Sequence, residues 1–535
     1  MRSIHVGVLA FASIGLTSVA PAAGSETSHS GSEVTPNAPV SAGQGEPTEL
    51  PPPPAVSGQV CRDLTAQIDT VLTSPGLEGA KVGVYVEQLN NGEVLYHRRE
   101  DDLLIPASNV KLVSTAAALD VLGPDYRFTS EIYGDLGSDG IIKGDIVLRG
   151  NGDPWLVPER VWYLANRLFY QGVRKVQGDL VVDDTYFAGP RLANGAEQDL
   201  SSAAYMAPAG AVSVGFNTVL VHVYPSKTAG SPAEILVEPR QAYTSIQNQA
   251  VTVSRGRTWL TVDVVADGDR SQVQIKGRIS ARDSGRGYYR RVDNPPLFAG
   301  EVLKQALKEA GVTVKGKVRL GNLPEGADRL AQVASPRLSE IVSRINKYSN
   351  NFMAEQVALA AGAHVHGAPA TWEKAQDTIE QYVTRTTGIS ADQFEIKNAS
   401  GLHDVNRFTP RQLVRVLRSA YRDPRLGPEY VASMSVAGAS GTLSGRMSET
   451  SADRILRAKT GTLSIASALS GYVTAKSGET LGFSILVNNY QTAISEIWAA
   501  QDEIGTALAQ VDRTCEVPNG RPVAASGQAR GTSLP

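Results

Sequence analysis

The chain has 535 residues, of which 42% are hydrophobic and 20% charged, and its formal net charge at pH 7 is -3. Because a single hydrophobic core stops growing near roughly 250 to 300 residues, this length predicts two or more domains. A nearly neutral chain without a basic run lacks the electrostatic footprint of a nucleic-acid-binding protein, so nucleic acid is excluded as an expected partner.

The N-terminus has the pattern of a secretory signal peptide, predicted over residues 1–23. Arg2 precedes an apolar stretch from Val6 to about Ala20, which ends in small residues and is too short for a stable membrane span. No later apolar run is long enough to cross a bilayer. We therefore expect an exported, soluble protein without a membrane span, either periplasmic or extracellular.

Two segments have a composition that is typical of disorder. Residues 24–58 are rich in Ser, Gly, Pro, Glu and Thr and include Pro51–Pro54, so they predict a flexible, partly polyproline II linker. Residues 518–535 predict a disordered tail.

The regions that flank the middle of the chain predict an α/β core, formed by residues 59–132 and 332–517. The expected helices are Cys61–Leu72, Ser108–Leu122 and Ile494–Ala509, and the expected strands are Lys81–Leu89, Val94–Arg98, Ile455–Leu463, Ala468–Thr474 and Leu481–Asn489. Residues 133–331 differ, because short alternating runs broken by Gly, Asp and Pro indicate mainly β structure. One amphipathic helix is predicted there, at Pro296–Ala310. This region is interpreted as a large insertion.

A candidate nucleophile and base occur in Ser108-Asn-Val-Lys111, the one Ser-x-x-Lys sequence of the chain. At a helix start, unpaired N–H groups and the helix dipole favour negative charge that develops on Ser108. Lys111 shares the helix face of Ser108, and burial opposite Lys459 would favour the neutral amine that a general base requires. Alone the pattern is weak, since a helix cap followed by an exposed lysine has the same sequence.

A second motif, Ser349-Asn-Asn351, precedes a helical stretch that contains Glu355. Ser349 would relay a proton between Lys111 and the leaving amine, and the Asn351 amide would hold a substrate carbonyl. Tyr348-Ser-Asn350 also fits a Tyr-x-Asn pattern, so these residues alone leave the register open.

The third motif is Lys459-Thr-Gly461, which also occurs once and lies in a predicted strand. Its glycine would let a substrate backbone approach, and the Lys459 charge would attract a terminal carboxylate that the hydroxyls of Thr460 and Thr462 bind. The backbone N–H groups of Ser108 and Thr462 would form an oxyanion hole. A turn is the alternative for an isolated Lys-Thr-Gly. The three motifs in this order are typical of penicillin-binding proteins and class A β-lactamases, so they predict serine acyl transfer.

The chain resembles the low-molecular-mass penicillin-binding proteins of the D-alanyl-D-alanine carboxypeptidase/endopeptidase type, peptidase family S13. The likeness extends to strings without evident chemistry, such as Gly144–Pro154, Val436–Leu443 and Ser470-Gly-Tyr472. Asn398-Ala-Ser-Gly-Leu402 resembles an Asp-Gly-Ser-Gly-Leu sequence of the family, with two replacements. The comparison favours Ser349 and Asn351 as the second motif.

The resemblance implies a penicilloyl-serine transferase fold, β-lactamase-like, with two extra domains inserted between the first and second motifs. It implies cleavage of D-alanyl-D-alanine bonds in peptidoglycan peptides through an acyl-Ser108 intermediate, and acylation by β-lactam antibiotics. Two alternatives stay open, a serine β-lactamase and a non-catalytic module that binds cell wall or senses antibiotic. The first needs fast deacylation, and no Glu-x-x-x-Asn sequence follows Asn351 at a comparable offset.

The chain contains two cysteines, Cys61 and Cys515. In an oxidising compartment a disulfide between them is expected, and two reduced thiols are the alternative. No His/Cys cluster has metal-ligand spacing, so neither a metal nor another cofactor is expected. The sequence does not indicate an oligomeric state.

Overall fold

The computed structural model describes residues 60–196, 199 and 201–512, and for residues 60–63 it describes the backbone alone. The helices in this part are α1 Val60–Leu72, α2 Val110–Leu122, α3 Pro158–Tyr170, α4 Pro295–Glu309, α5 Leu338–Tyr348, α6 Asn351–His366, α7 Trp372–Thr387, α8 Pro410–Arg422, α9 Gly427–Ala432 and α10 Ile494–Ala509. The predicted signal peptide, linker and tail lie outside the described residues.

The strands of the described part are β1 Lys81–Gln88, β2 Val94–Arg98, β3 Thr129–Tyr133, β4 Ile141–Ile142, β5 Ile146–Gly150, β6 Lys175–Val176, β7 Leu180–Asp183, β8 Thr218–Tyr224, β9 Glu234–Glu238, β10 Thr244–Val253, β11 Trp259–Asp267, β12 Arg270–Ser280, β13 Arg286–Arg291, β14 Thr313–Val314, β15 Val318–Leu320, β16 Arg329–Ala334, β17 Ser435–Val436, β18 Arg457–Thr462, β19 Ala466–Thr474 and β20 Thr480–Asn488.

A six-stranded antiparallel sheet joins strands from the two ends of the described chain, in the order β17-β18-β19-β20-β1-β2. Strands β19 and β20 are buried along almost their whole length, because helices cover both faces of the sheet. Side chains of α1 and α10 pack in one apolar cluster with the sheet, and α2, α6, α7 and α8 form a second cluster. The strands and terminal helices predicted for this core are present within a few residues of their expected ends.

Helix α2 lies at the centre of the helical layer. Ten of its thirteen residues are buried, which agrees with a sequence that is apolar on every side. A helix in this position is held by contacts in all directions, so the turn that precedes it has a fixed place against the sheet. Ser108 lies in that turn.

The described residues of the middle of the chain form four smaller sheets, one of five strands and three of three strands. Strands β3 and β16, at the two ends of this region, pair with each other in the five-stranded sheet. The prediction of one helix here is wrong, since α3 accompanies α4. The buried stripe of α3 consists of Val161, Leu164, Ala165 and Leu168. Aromatic residues on its outer side interrupt the polar positions of the sequence, so the helical period was not recognised.

Among the described residues, no helix is both long enough and apolar enough to cross a bilayer.

Candidate active site

The candidate nucleophile lies in a short 3₁₀ turn, Ala107–Asn109, that leads into α2. The helix was predicted to begin at Ser108, but regular α geometry begins at Val110. Ala107 has a φ of 46°, a conformation uncommon for a residue with a side chain, and it bends the chain just before Ser108. The Asn109 amide donates to the backbone oxygen of Lys459 at 2.9 Å, so the turn is fixed directly to strand β18.

Lys111 is fully buried, and its ammonium nitrogen contacts three oxygens. Nζ lies 3.0 Å from the Ser108 hydroxyl, 2.7 Å from Asn351 Oδ1 and 2.5 Å from the backbone oxygen of Ser400. Burial lowers the pKa of Lys111 to about 7, although the charge of Glu355 opposes that change. An amine with such a pKa is about half neutral at pH 7 and lies within hydrogen-bond distance of Ser108.

The second motif lies between α5 and α6, where Ser349 takes the left-handed conformation with φ 57° and ψ 37°. This conformation ends α5 and brings the Ser349 hydroxyl within 2.8 Å of Lys459 Nζ, which donates to it. Asn350 caps α6 by accepting from the backbone N–H of Met353 at 2.9 Å. Ser349 and Asn351 therefore contact Lys459 and Lys111, respectively. The ring of Tyr348 lies beside the guanidinium of Arg344.

The third motif occupies the third to fifth residues of β18. Lys459 and Gly461 are buried, and Thr462 is exposed. The Thr460 hydroxyl donates to the hydroxyl of Thr442 at 2.8 Å. Burial, and then the neighbouring charge of Lys111, hold the pKa of Lys459 well below its usual range.

Gly461 brings β18 against the turn of the candidate nucleophile. A Cβ at this position would lie 2.9 Å from the backbone nitrogen of Ser108 and 3.0 Å from the backbone oxygen of Pro106. Both distances are too short for carbon, so the close approach of the two segments requires glycine here.

The turn Asn398–Leu402 supplies a contact that side-chain patterns did not reveal. Its Ser400 carbonyl accepts from Lys111, and Gly401 abuts the backbone of Ala107. Every residue has a backbone carbonyl, so the residue type does not reveal which carbonyl will contact Lys111. In the sequence, the family resemblance at Asn398-Ala-Ser-Gly-Leu402 was the one indication that this turn belongs to the site. Cys515 lies outside the described residues, as does the side chain of Cys61.

Comparison with known proteins identifies the family. The D-Ala-D-Ala carboxypeptidase 3 (S13) family matches residues 64–511. The chain belongs to this family. The family assignment confirms the enzyme class predicted from the sequence, a serine-type D-Ala-D-Ala peptidase.

Relatives extend over most of the chain. It is 36% identical to a D-alanyl-D-alanine carboxypeptidase of Actinomadura sp. (strain R39), over 85% of this chain and 86% of that protein. It is 28% identical to carboxypeptidase DacB of Mycolicibacterium smegmatis, over 96% of this chain and 98% of that protein.

The crystal structure of penicillin-binding protein 4 (dacB) from Haemophilus influenzae matches with a TM-score of 0.72 at 22% identity, covering 84% of this chain and 99% of that chain. This likeness confirms the predicted fold class, a penicilloyl-serine transferase fold with a large β-rich insertion.

Proposed function

We propose that this S13 enzyme cleaves D-alanyl-D-alanine bonds of peptidoglycan peptides through an acyl intermediate on Ser108, with Lys111 as the general base. The observation that carries the proposal is the 3.0 Å contact between the Ser108 hydroxyl and a buried amine whose pKa is lowered to about 7. In its neutral form Lys111 takes the hydroxyl proton while Ser108 Oγ forms a bond to the carbonyl carbon of the penultimate D-Ala.

The negative charge then develops on the substrate oxygen, which we assign to the backbone N–H groups of Ser108 and Thr462. Support comes from the close approach of Gly461 to Ser108, which brings these two segments together. Because donors in fixed backbone segments do not have to reorient during the reaction, they stabilise the oxyanion efficiently. The acyl group next passes to water, which regenerates Ser108.

The leaving group would lie toward Ser349, Lys459 and Thr460. The Lys459 ammonium donates to the Ser349 hydroxyl at 2.8 Å, and we assign to Ser349 the transfer of a proton to the departing amine. A terminal carboxylate of the substrate would bind Lys459, Thr460 and Thr462, and its charge would raise the lowered pKa of Lys459 again. Asn351 accepts from Lys111 through Oδ1 and donates one amide N–H to the backbone oxygen of Tyr205 at 3.2 Å. Its second amide N–H would donate to a substrate carbonyl.

We propose that β-lactams acylate the same serine. The Haemophilus influenzae penicillin-binding protein 4 has also been crystallised in complex with a β-lactam, a structure that matches this chain with a TM-score of 0.67. A β-lactam presents a reactive carbonyl and a carboxylate, the two groups for which Ser108 and Lys459 are assigned here.

The domain limits and export of the chain are proposed as well. Residues 1–23 would direct export to the periplasm or the extracellular space. Residues 24–58 would form a flexible linker, and residues 518–535 would form a disordered tail. Residues 59–132 and 332–517 would form the catalytic domain and residues 133–331 the inserted domains, which the pairing of β3 with β16 supports. Cys61 and Cys515 would form a disulfide, a pairing favoured because α1 and α10 pack in one cluster.

One turnover assay tests the function. The purified enzyme is given a D-Ala-D-Ala peptide and, separately, a penicillin, and both products are counted per enzyme molecule. We expect many D-Ala molecules per enzyme, together with about one equivalent of slowly released penicilloyl group. Rapid penicillin turnover would indicate a β-lactamase instead, and absence of both reactions would indicate a non-catalytic module.

A further inference from the structure

A buried carboxylate lies one helical turn beyond Asn351 on α6. Glu355 Oε1 accepts from the backbone N–H of Ser400 at 2.9 Å, and Oε2 accepts from that of Ala399 at 3.1 Å. Both oxygens therefore face donors, which is the arrangement that a carboxylate needs and a protonated acid does not. Burial raises the pKa of Glu355, while hydrogen bonds from the Ser400 side chain and from these two N–H groups, together with the charge of Lys111, oppose that change. We infer that the ionised form is present in the free enzyme.

The segment that Glu355 holds has no regular secondary structure. The turn Asn398–Leu402 is fixed by side chains, since Ser114 Oγ donates to the Ala399 oxygen at 2.8 Å and Asn398 Oδ1 accepts from the Gly401 N–H at 2.8 Å. Glu355 binds the two N–H groups at the middle of the turn. The Ser400 carbonyl, which contacts Lys111, therefore depends on Glu355 for its position.

That carbonyl has a defined part in orienting the amine. A neutral lysine has two N–H bonds and one lone pair in a tetrahedral arrangement. When the N–H bonds of Lys111 point at Asn351 Oδ1 and at the Ser400 oxygen, the lone pair is left facing Ser108 Oγ. Loss of the Ser400 contact would let the amine rotate away from the nucleophile.

We propose that Glu355 is a positioning residue for acylation of Ser108: its carboxylate fixes the carbonyl that orients Lys111, and its charge adjusts the basicity of that amine. This inference rests on the proposed role of Lys111 as the base. The hydrogen bonds of Glu355 go to the turn, so we assign its action to Lys111 and the turn and not to direct contact with Ser108.

The charge effect has a definite sign. Burial alone would lower the pKa of Lys111 further, and the negative charge of Glu355 limits the decrease. The amine thus remains a base of useful strength near neutral pH. Other charged or titratable groups face the pair from neighbouring segments: Lys459 of β18 lies beside Lys111, and Arg191, Tyr205 and His403 line with Glu355 a cavity of about 30 Å³. Arg191 is already paired with Asp184 at 2.6 Å.

The test compares the pH dependence of penicillin acylation in the whole enzyme and three variants. Glu355→Gln removes the charge and one acceptor, and Glu355→Asp keeps the charge on a shorter side chain. Asn406→Ala is the matched control. Asn406 Oδ1 accepts from the N–H groups of Lys397 and Asn398 at the start of the same turn, and the side chain carries no charge. Arg191, Tyr205, His403 and Lys459 are unchanged in all of them.

We expect Glu355→Gln to lower the acylation rate at its plateau at least tenfold. The acidic limb of the profile, where the rate falls because Lys111 becomes protonated, should move to lower pH by about one unit. Asn406→Ala should lower the plateau without moving the limb, and Glu355→Asp should keep the limb near its wild-type position. An unmoved limb in Glu355→Gln, or a limb that moves to higher pH, would overturn the inference.

If Glu355→Gln does not fold, as judged by thermal denaturation, Glu355→Asp decides the matter. A limb that moves down by as much as one unit although the carboxylate is retained would then refute the charge effect. A wild-type enzyme without any acidic limb near neutral pH would instead contradict Lys111 as the base, which separates failure of the proposed function from failure of this inference.

Discussion

Replacing Lys111 by arginine removes the base while it keeps a positive charge at the site. The lysine side chain is fully buried, and burial lowers its pKa to about 7, so about half of the enzyme holds a neutral amine at pH 7. A guanidinium with a pKa above about 12 is neutral in roughly one molecule in 10⁵ at that pH. The fraction of enzyme able to accept the Ser108 proton therefore falls about 10⁴- to 10⁵-fold.

The measurement is the second-order rate of acylation by a fluorescent penicillin, followed from pH 5 to pH 9 in both enzymes. The wild-type rate should rise with pH and level off above a midpoint near 7, because protonation of Lys111 below that pH removes the base. The Lys111→Arg rate should be negligible throughout. Lys111→Met should behave alike, and thermal denaturation of both variants checks that they are folded.

A folded Lys111→Arg enzyme that keeps more than about a tenth of the wild-type rate would refute the assignment, since no neutral guanidinium exists to accept the proton at these pH values. A wild-type profile that is flat between pH 5 and pH 9 would also contradict it, because the amine would then not titrate in the range that its burial predicts.

Three further predictions concern two other residues of the site and the two cysteines. Lys459→Met should lower kcat/KM about 30-fold or more for a D-Ala-D-Ala peptide with a free carboxylate but only a few-fold for the amidated peptide; equal losses for the two peptides would refute carboxylate binding. Gly461→Ala should slow acylation at least tenfold and lower Tm by a few degrees, because its methyl group would press on the backbone of Ser108; acylation at the wild-type rate would contradict the close packing. Thiol titration of the denatured, unreduced protein, isolated from an oxidising compartment, should find neither Cys61 nor Cys515 reactive, and two free thiols would exclude the disulfide.

The sequence predicted best those elements whose pattern is local and uninterrupted. Helix α10 occupies the predicted residues, and strands β18, β19 and β20 differ from their predicted limits by one or two residues. Strands β19 and β20 are buried in the core along almost their whole length, where nothing competes with the pattern. Helix α3 was missed because Trp162, Tyr163 and Tyr170 lie exposed on its outer side, so its apolar residues do not form a single stripe in the sequence.

In the candidate site, the side chains were predictable and their backbone partners were not. Ser108, Lys111 and Lys459 have side chains whose chemistry marks them in the sequence. The Ser400 carbonyl is present in any residue, and only the fold brings it to Lys111. Glu355 was visible as a helical residue, but its contact with a turn 44 residues away could not be read from spacing.

Mass spectrometry of the penicillin adduct tests the central claim most directly. The purified enzyme is labelled with penicillin, digested and mapped, and Ser108→Ala is treated in parallel. We predict one adduct, on the peptide that contains Ser108, and none in the folded Ser108→Ala enzyme. An adduct on any other residue, or undiminished labelling of Ser108→Ala, would contradict the account.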